Sequence, residues 1–164
     1  MKEKSAREKL IRILQNAYSG ELAAAHAYNG HWKSVKNPQE IQEIKKIENE
    51  EWEHRKCLGV MLKQLESRPD KFREGLLFMI GKTIAFLCFV IGWFMAMYFA
   101  GRIESNNVKE YEDAALYAGE SGLDEIKLDL LKMADVEREH ELFFKNTISK
   151  HYFLPIFRAL FKWG

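Results

Sequence analysis

Apolar side chains recur along four stretches of this chain at alternating spacings of three and four, the period of helices packed in a bundle. The spacing predicts a first helix over about residues 5–32, with the stripe Leu10, Leu14, Ala17, Glu21, Ala24 and Tyr28. A second, over about 38–66, carries Ile44, Ile47, Glu51, His54, Leu58, Met61 and Leu65. A third, over about 102–117, carries Glu104, Val108, Tyr111 and Ala115. A fourth, over about 122–149, carries Ile126, Leu130, Met133, Glu137, His140 and Phe144. Strand-like alternation is scarce and there are three prolines, so the expected class is all-α. The punctuation agrees. In SVKNP, Asn37 reads as an N-cap, Pro38 as the first helical residue and Glu40 as the capping-box acid. SRPD breaks the second helix, and AGESGLDE makes the last turn with Ser121 as N-cap.

Glu21, Glu51, His54, Glu104, Glu137 and His140 interrupt stripes that are otherwise mostly apolar. A buried carboxylate without a partner costs several kcal/mol, so the six residues need a shared compensation. Two divalent metals supply it, because four carboxylates balance two doubly charged ions and two neutral imidazoles complete the donor set. Bundles that hold such a pair take one Glu from each of two helices and Glu-x-x-His from each of the other two. One Glu-x-x-His is a weak signal, whereas this order on four apolar stripes is specific. Mixed oxygen and nitrogen donors suit iron, or manganese in its place. The neighbouring acids Glu48, Glu50, Glu53, Glu139 and Glu141 read as solvated faces.

Tyr28 and Tyr111 each follow a stripe glutamate by seven residues. They read either as core tyrosines with bonded hydroxyls or as redox or substrate-contacting groups. Asn49 and Asp135, each two residues before a ligand glutamate, read either as partners orienting the ligand histidines or as surface polar residues. His26, His31 and His151 fall off the stripes and are expected not to be ligands.

Residues 83–100, TIAFLCFVIGWFMAMYFA, carry no charge and reach the length of a transmembrane helix. A single crossing is incompatible with the metal site, since it would put two ligand helices on each side of the bilayer. The apolar segment 75–101 is expected to lie in one leaflet, to re-enter at Gly81 or Gly92, or to form a buried crossover. The tail, 150–164, sets Phe153, Leu154, Ile156, Phe157, Leu160, Phe161 and Trp163 among Lys150, Arg158 and Lys162. It reads as an interfacial helix on a lipid surface. Packing of the same faces between copies, in a homo-oligomer, is the other reading.

Composition narrows the classes further. A chain of 164 residues, 47% apolar and 30% charged, fits one folded domain over 1–164. A net charge of +1 gives no electrostatic case for nucleic acid. Cys57 and Cys88 form no CxxC, which disfavours zinc knuckles, rubredoxin-type iron and a disulfide framework, and suits a reducing compartment. The opening MKEKSAREKL has no signal-peptide apolar region.

These motifs together resemble the demethoxyubiquinone hydroxylases, membrane-associated di-iron enzymes of ubiquinone biosynthesis. GELAAAHAYNGH at 20–31 resembles their GExxAxxxYxG opening, and EWEH at 51–54 their first ExxH. Arg68-Pro69 matches the dipeptide before their hydrophobic helix. IES at 103–105 with Tyr111 resembles the third metal helix, and DVEREH at 135–140 the last ligand motif. The resemblance implies a ferritin-like four-helix bundle with a hydrophobic crossover helix and a C-terminal interfacial helix. It implies hydroxylation of a polyprenylated benzoquinone ring with dioxygen, on one membrane face, read as the cytoplasmic side of a prokaryotic inner membrane. By it Glu21, Glu51, His54, Glu104, Glu137 and His140 hold two irons, Glu51 and Glu137 bridge, and Tyr111 stands near the reductant or substrate path.

The chain departs from the family pattern at Glu110, where family members commonly carry His; electron input from a nicotinamide is therefore left open. The stretch after Arg68-Pro69 also lacks the family's usual Pro and Trp pattern, which allows a different quinone. Two other readings share the ligands: a ferritin- or rubrerythrin-like ferroxidase or peroxidase, and a non-catalytic membrane-attached metal scaffold.

Overall fold

A computed structural model describes Lys2–Gly164, with side chains from residue 6 onward; the described residues form six α-helices and no strand. They are α1 (Lys2–Ser34), α2 (Pro38–Gln64), α3 (Lys71–Leu87), α4 (Trp93–Glu120), α5 (Asp124–Ile148) and α6 (Leu154–Phe161). The four long helices α1, α2, α4 and α5 make the expected all-α bundle. Short turns join α1 to α2 and α4 to α5, and α1 also packs on α3 and α4. The stripes bury as their spacing requires, and the core divides in two. One cluster gathers Leu10, Leu14, Leu58, Met61, Tyr111, Ala115, Leu130 and Met133. The other gathers Tyr28, Ile44, Ile47, Met97, Tyr98, Phe144, Ile148 and Trp163. The carboxylate and histidine positions of every stripe fall between these two apolar clusters.

The apolar segment is not one helix. α3 ends at Leu87, and α4 begins at Trp93, nine residues before the third helix expected at 102. The break is built at Gly92, whose φ of +85° is left-handed backbone open to a residue without a Cβ. The first turns of α4 then go into the core, with Phe94, Ala96, Met97, Tyr98 and Ala100 buried. No described helix is long and apolar enough to cross a membrane.

α3 meets α1 backbone to backbone. A Cβ on Gly81 would stand 2.5 Å from the Ala23 carbonyl oxygen, and one on Gly30 would stand 2.5 Å from the Ala85 Cα. The outer face of α3 stays exposed and apolar: Phe72 is 85% exposed, Met79 61% and Phe86 67%. α6 is held to α4 by the Tyr98 hydroxyl, which lies 3.0 Å from the Phe157 carbonyl and 2.8 Å from that of Trp163. Its own outer face, with Ile156 and Leu160, is exposed as well.

Two caps differ from expectation. Asn37 caps α2 through the Gln39 amide, but Glu40 closes no capping box; its Oε2 accepts from Trp93 Nε1 at 2.8 Å and so ties the start of α2 to the start of α4. Ser121 does not open α5. It ends α4, donating its hydroxyl to the Tyr117 carbonyl, and α5 starts at Asp124. A serine satisfies an orphan carbonyl as readily as an orphan amide, so residue type alone does not choose between the two ends.

Candidate metal centre

Each of the six interrupting residues is buried at the level where the two apolar clusters part. α1 contributes Glu21, α2 Glu51 and His54, α4 Glu104, and α5 Glu137 and His140. The three-residue Glu-to-His spacing puts both groups of each pair on one helix face. Glu21, Glu51, His54 and Glu137 bring one donor atom each within 4.8 Å of one another; so do Glu51, Glu104, Glu137 and His140. Glu51 and Glu137 belong to both groups.

His54 Nδ1 stands 2.9 Å from Glu137 Oε1, and His140 Nδ1 stands 3.5 Å from Glu51 Oε1 and from Glu137 Oε2. Each of the six has at least one buried oxygen or nitrogen outside hydrogen-bonding geometry, the close His54–Glu137 pair included. Orphans concentrated in this way are costly for protein atoms alone. They are what a cation accommodates: two donors at ~2.1 Å from one ion and at right angles to it lie about 3 Å apart. The donor set, four carboxylates and two imidazoles, fits iron or manganese.

The electrostatics point the same way. Burial, then the charge of Glu51, pushes the Glu21 carboxyl well above the usual range. Burial, then Glu137, does the same to Glu51 and Glu104. Glu137 alone is held below the usual range: burial opposes ionisation, but its contacts with His140 and His54 outweigh it. His140 is raised to about 9, against burial, by Glu137 and then by its other acidic neighbours. Metal-free, the site holds protons that an incoming cation would displace.

Around the six lie residues that the stripes did not mark. Glu50, assigned to a solvated face, places Oε2 2.9 Å from Nε2 of His140. Asn107 donates to Glu104 Oε2 at 2.9 Å and stands 3.5 Å from Glu137 Oε2; its i+3 spacing from Glu104 was the one legible sign of it. Glu48 and Glu141 also hold partners, Glu48 accepting from Asn29 and Trp32 and Glu141 from Trp163. Glu53 and Glu139 are exposed. Asn49 and Asp135 are surface residues, Asp135 pairing with Arg138, and neither orients a ligand.

The Tyr111 hydroxyl donates to Glu21 Oε1, while Tyr28 lies near parallel to the rings of His31 and Phe144. His26, His31 and His151 enter neither donor group. A cavity of about 270 Å³ between α1, α3 and α4 reaches the site. Glu21, Asn107, Glu110 and Tyr111 line its polar end, and Ala24, Ala27, Ile80, Ile84, Phe99 and Ala100 its apolar walls. Burial, then Glu137, raises the Glu110 carboxyl.

Comparisons with known proteins bear on the family of the chain. The family described as "Ubiquinone biosynthesis protein COQ7" matches residues 7–117, which carry Glu21, Glu51, His54 and Glu104. A curated relative from Dictyostelium discoideum, a mitochondrial NADPH-dependent 3-demethoxyubiquinone 3-hydroxylase, is 26% identical over 141 residues. The aligned region is 85% of this chain and 64% of the relative, so the chain spans less than two thirds of that protein's length. No solved structure matches.

Proposed function

The chain belongs to the COQ7 family of ubiquinone-biosynthesis proteins, and on that premise we propose that it is a di-iron enzyme that hydroxylates the ring of a polyprenylated benzoquinone with dioxygen. The observation that carries the reading is the junction of two features: the cavity with apolar walls ends at Glu21 and Tyr111, on the buried carboxylate cluster. A quinone ring with an isoprenoid chain needs both, a dry channel for the chain and a polar end for the ring.

Glu21, Glu51, His54, Glu104, Glu137 and His140 would hold two iron ions, with Glu51 and Glu137 shared between them; manganese has the same donor preference. When bound, the irons would supply dioxygen activation: one oxygen atom would enter the ring, and two electrons from the reductant with two protons would take the other to water. The chain's residues do the rest. Glu50 holds the His140 ring so that Nδ1 faces the site, and Asn107 fixes the Glu104 carboxylate. Tyr111 holds Glu21 and closes the cavity end, while the wall of alanine, isoleucine and phenylalanine excludes water from the ring. Glu110, the departure from the family pattern, lines the polar end of the cavity, and a nicotinamide is the reductant class proposed.

The reading includes attachment to one membrane face, cytoplasmic in a prokaryotic cell. The exposed apolar faces of α3 and α6, with Lys71, Arg73, Lys82, Arg158 and Lys162 beside them, support it. The test is direct. Iron-loaded protein given a short-chain demethoxy quinone, a reductant and ¹⁸O-labelled dioxygen should yield a ring carrying one labelled oxygen. Glu51→Ala should yield none. Protein that binds iron and consumes peroxide but leaves the quinone unchanged would overturn the hydroxylase reading in favour of a peroxidase.

A further inference from the structure

His31 takes no part in the centre described above, yet it is 2% exposed and its Nε2 is buried without a partner. Its ring lies nearly parallel to Tyr28 and Phe144, with centroids 6.2 and 5.9 Å away. Burial pushes its pKa down to about 4, so the imidazole is neutral at physiological pH. A neutral imidazole presents one donor and one acceptor, and an orphaned one in an apolar setting costs free energy until something bonds it. His31 also lines the cavity that reaches the metal centre.

Its position along that cavity is set by helix packing. The close approach of Gly30 to Ala85 brings the end of α1 level with the end of α3. Cys88 and Ile91, from the α3–α4 turn, line the same cavity. Between them Phe89 and Val90 point outward, 58% and 64% exposed. The helix rise puts His31 about 15 Å along α1 from Glu21, too far for one ring to touch both.

We propose that His31 is a hydrogen-bonding station for the quinone ring, where a ring carbonyl accepts from the imidazole N–H before the ring moves on to the metal end. The proposal rests on the quinone reading above and adds a site to it. A neutral donor beside apolar walls selects a neutral, mostly apolar molecule that carries oxygen. An anionic ligand would find no cation there, and a plain hydrocarbon would leave the nitrogen unpaired. The exposed turn at Phe89 and Val90 is where such a molecule arrives from a lipid surface.

The test separates the station from the reaction. The full chain in detergent micelles is titrated with a decyl-chain benzoquinone, read by quenching of tryptophan fluorescence, and the quinone is displaced with decylbenzene. His31→Phe keeps a ring against Tyr28 and Phe144 but removes the donor. It should weaken quinone binding about five-fold, the worth of one net hydrogen bond, and leave decylbenzene within about two-fold. His31→Gln, which restores an N–H, should stay within about two-fold of wild type for the quinone. Equal binding of the quinone by wild type and His31→Phe overturns the proposal, as does equal weakening of both ligands or a His31→Gln no better than His31→Phe. Failure of the hydroxylase reading looks different: no ring hydroxylation by the iron-loaded wild type, with the binding difference intact.

Discussion

Glu50 Oε2 lies 2.9 Å from Nε2 of His140, while Nδ1 of the same ring faces Glu51 and Glu137 at 3.5 Å. A half-buried acid on α2 thus sets the aim of the His140 ring on α5, a proposed metal ligand. Outer partners of this kind are worth roughly 10–100-fold in metal affinity. Glu50→Ala should weaken iron or manganese binding by that factor without removing a donor, as measured by competition with a metal indicator. Glu50→Gln should cost less, because its amide oxygen still accepts. Unchanged affinity in Glu50→Ala would remove Glu50 from the metal centre.

Glu51 and Glu137 each belong to both donor groups, whereas Glu21 and Glu104 belong to one each. Metal analysis of single variants should therefore split into two classes. Glu51→Ala and Glu137→Ala should lose both ions, and Glu21→Ala and Glu104→Ala should lose one. Four variants with the same metal content would contradict a shared pair of bridging carboxylates.

His31 links the cavity to stability. Its folded pKa is about 4 and its ordinary value 6.5, so between these the unfolded chain binds the extra proton. Stability from this group is full above 6.5 and is lost as pH falls toward 4. Between pH 7 and pH 5 the loss is about 2 kcal/mol. Urea unfolding at the two pH values should show it in the wild type, and His31→Phe should reduce the pH dependence by that amount. An equal pH dependence in both proteins would mean that the imidazole is protonated or solvated in the folded state.

Phe72, Leu76 and Met79 stand on the open face of α3. Each apolar side chain moved from water into lipid is worth about 1.5–3 kcal/mol. Phe72→Glu combined with Met79→Glu should cut binding to mixed phosphatidylcholine and phosphatidylglycerol vesicles by about ten-fold or more, as followed by co-sedimentation. Wild type that ignores vesicles but forms an oligomer that the double variant breaks would make this face a contact between copies.

Helix period is a local property, and so the sequence by itself determined the all-α class, the four buried stripes and the six interrupting residues. A spacing of three or four residues decides which side chains share a face before any other helix is in place. The two cores meet these stripes at the positions read from them, from Leu10 to Phe144. Contacts between helices are not local, and only the tertiary structure decided them. Glu50 lies off the α2 stripe, and its partner is 90 residues away on α5. His31 lies off the α1 stripe and is buried with its ring facing Phe144, 113 residues away on α5. The apolar run from 83 to 100 has one composition throughout, yet Gly92 divides it. Residues before the break leave an open face on α3, and residues after it enter the core on α4. Hydrophobicity said that this run avoids water; the packing partner available to each half decided where it goes instead.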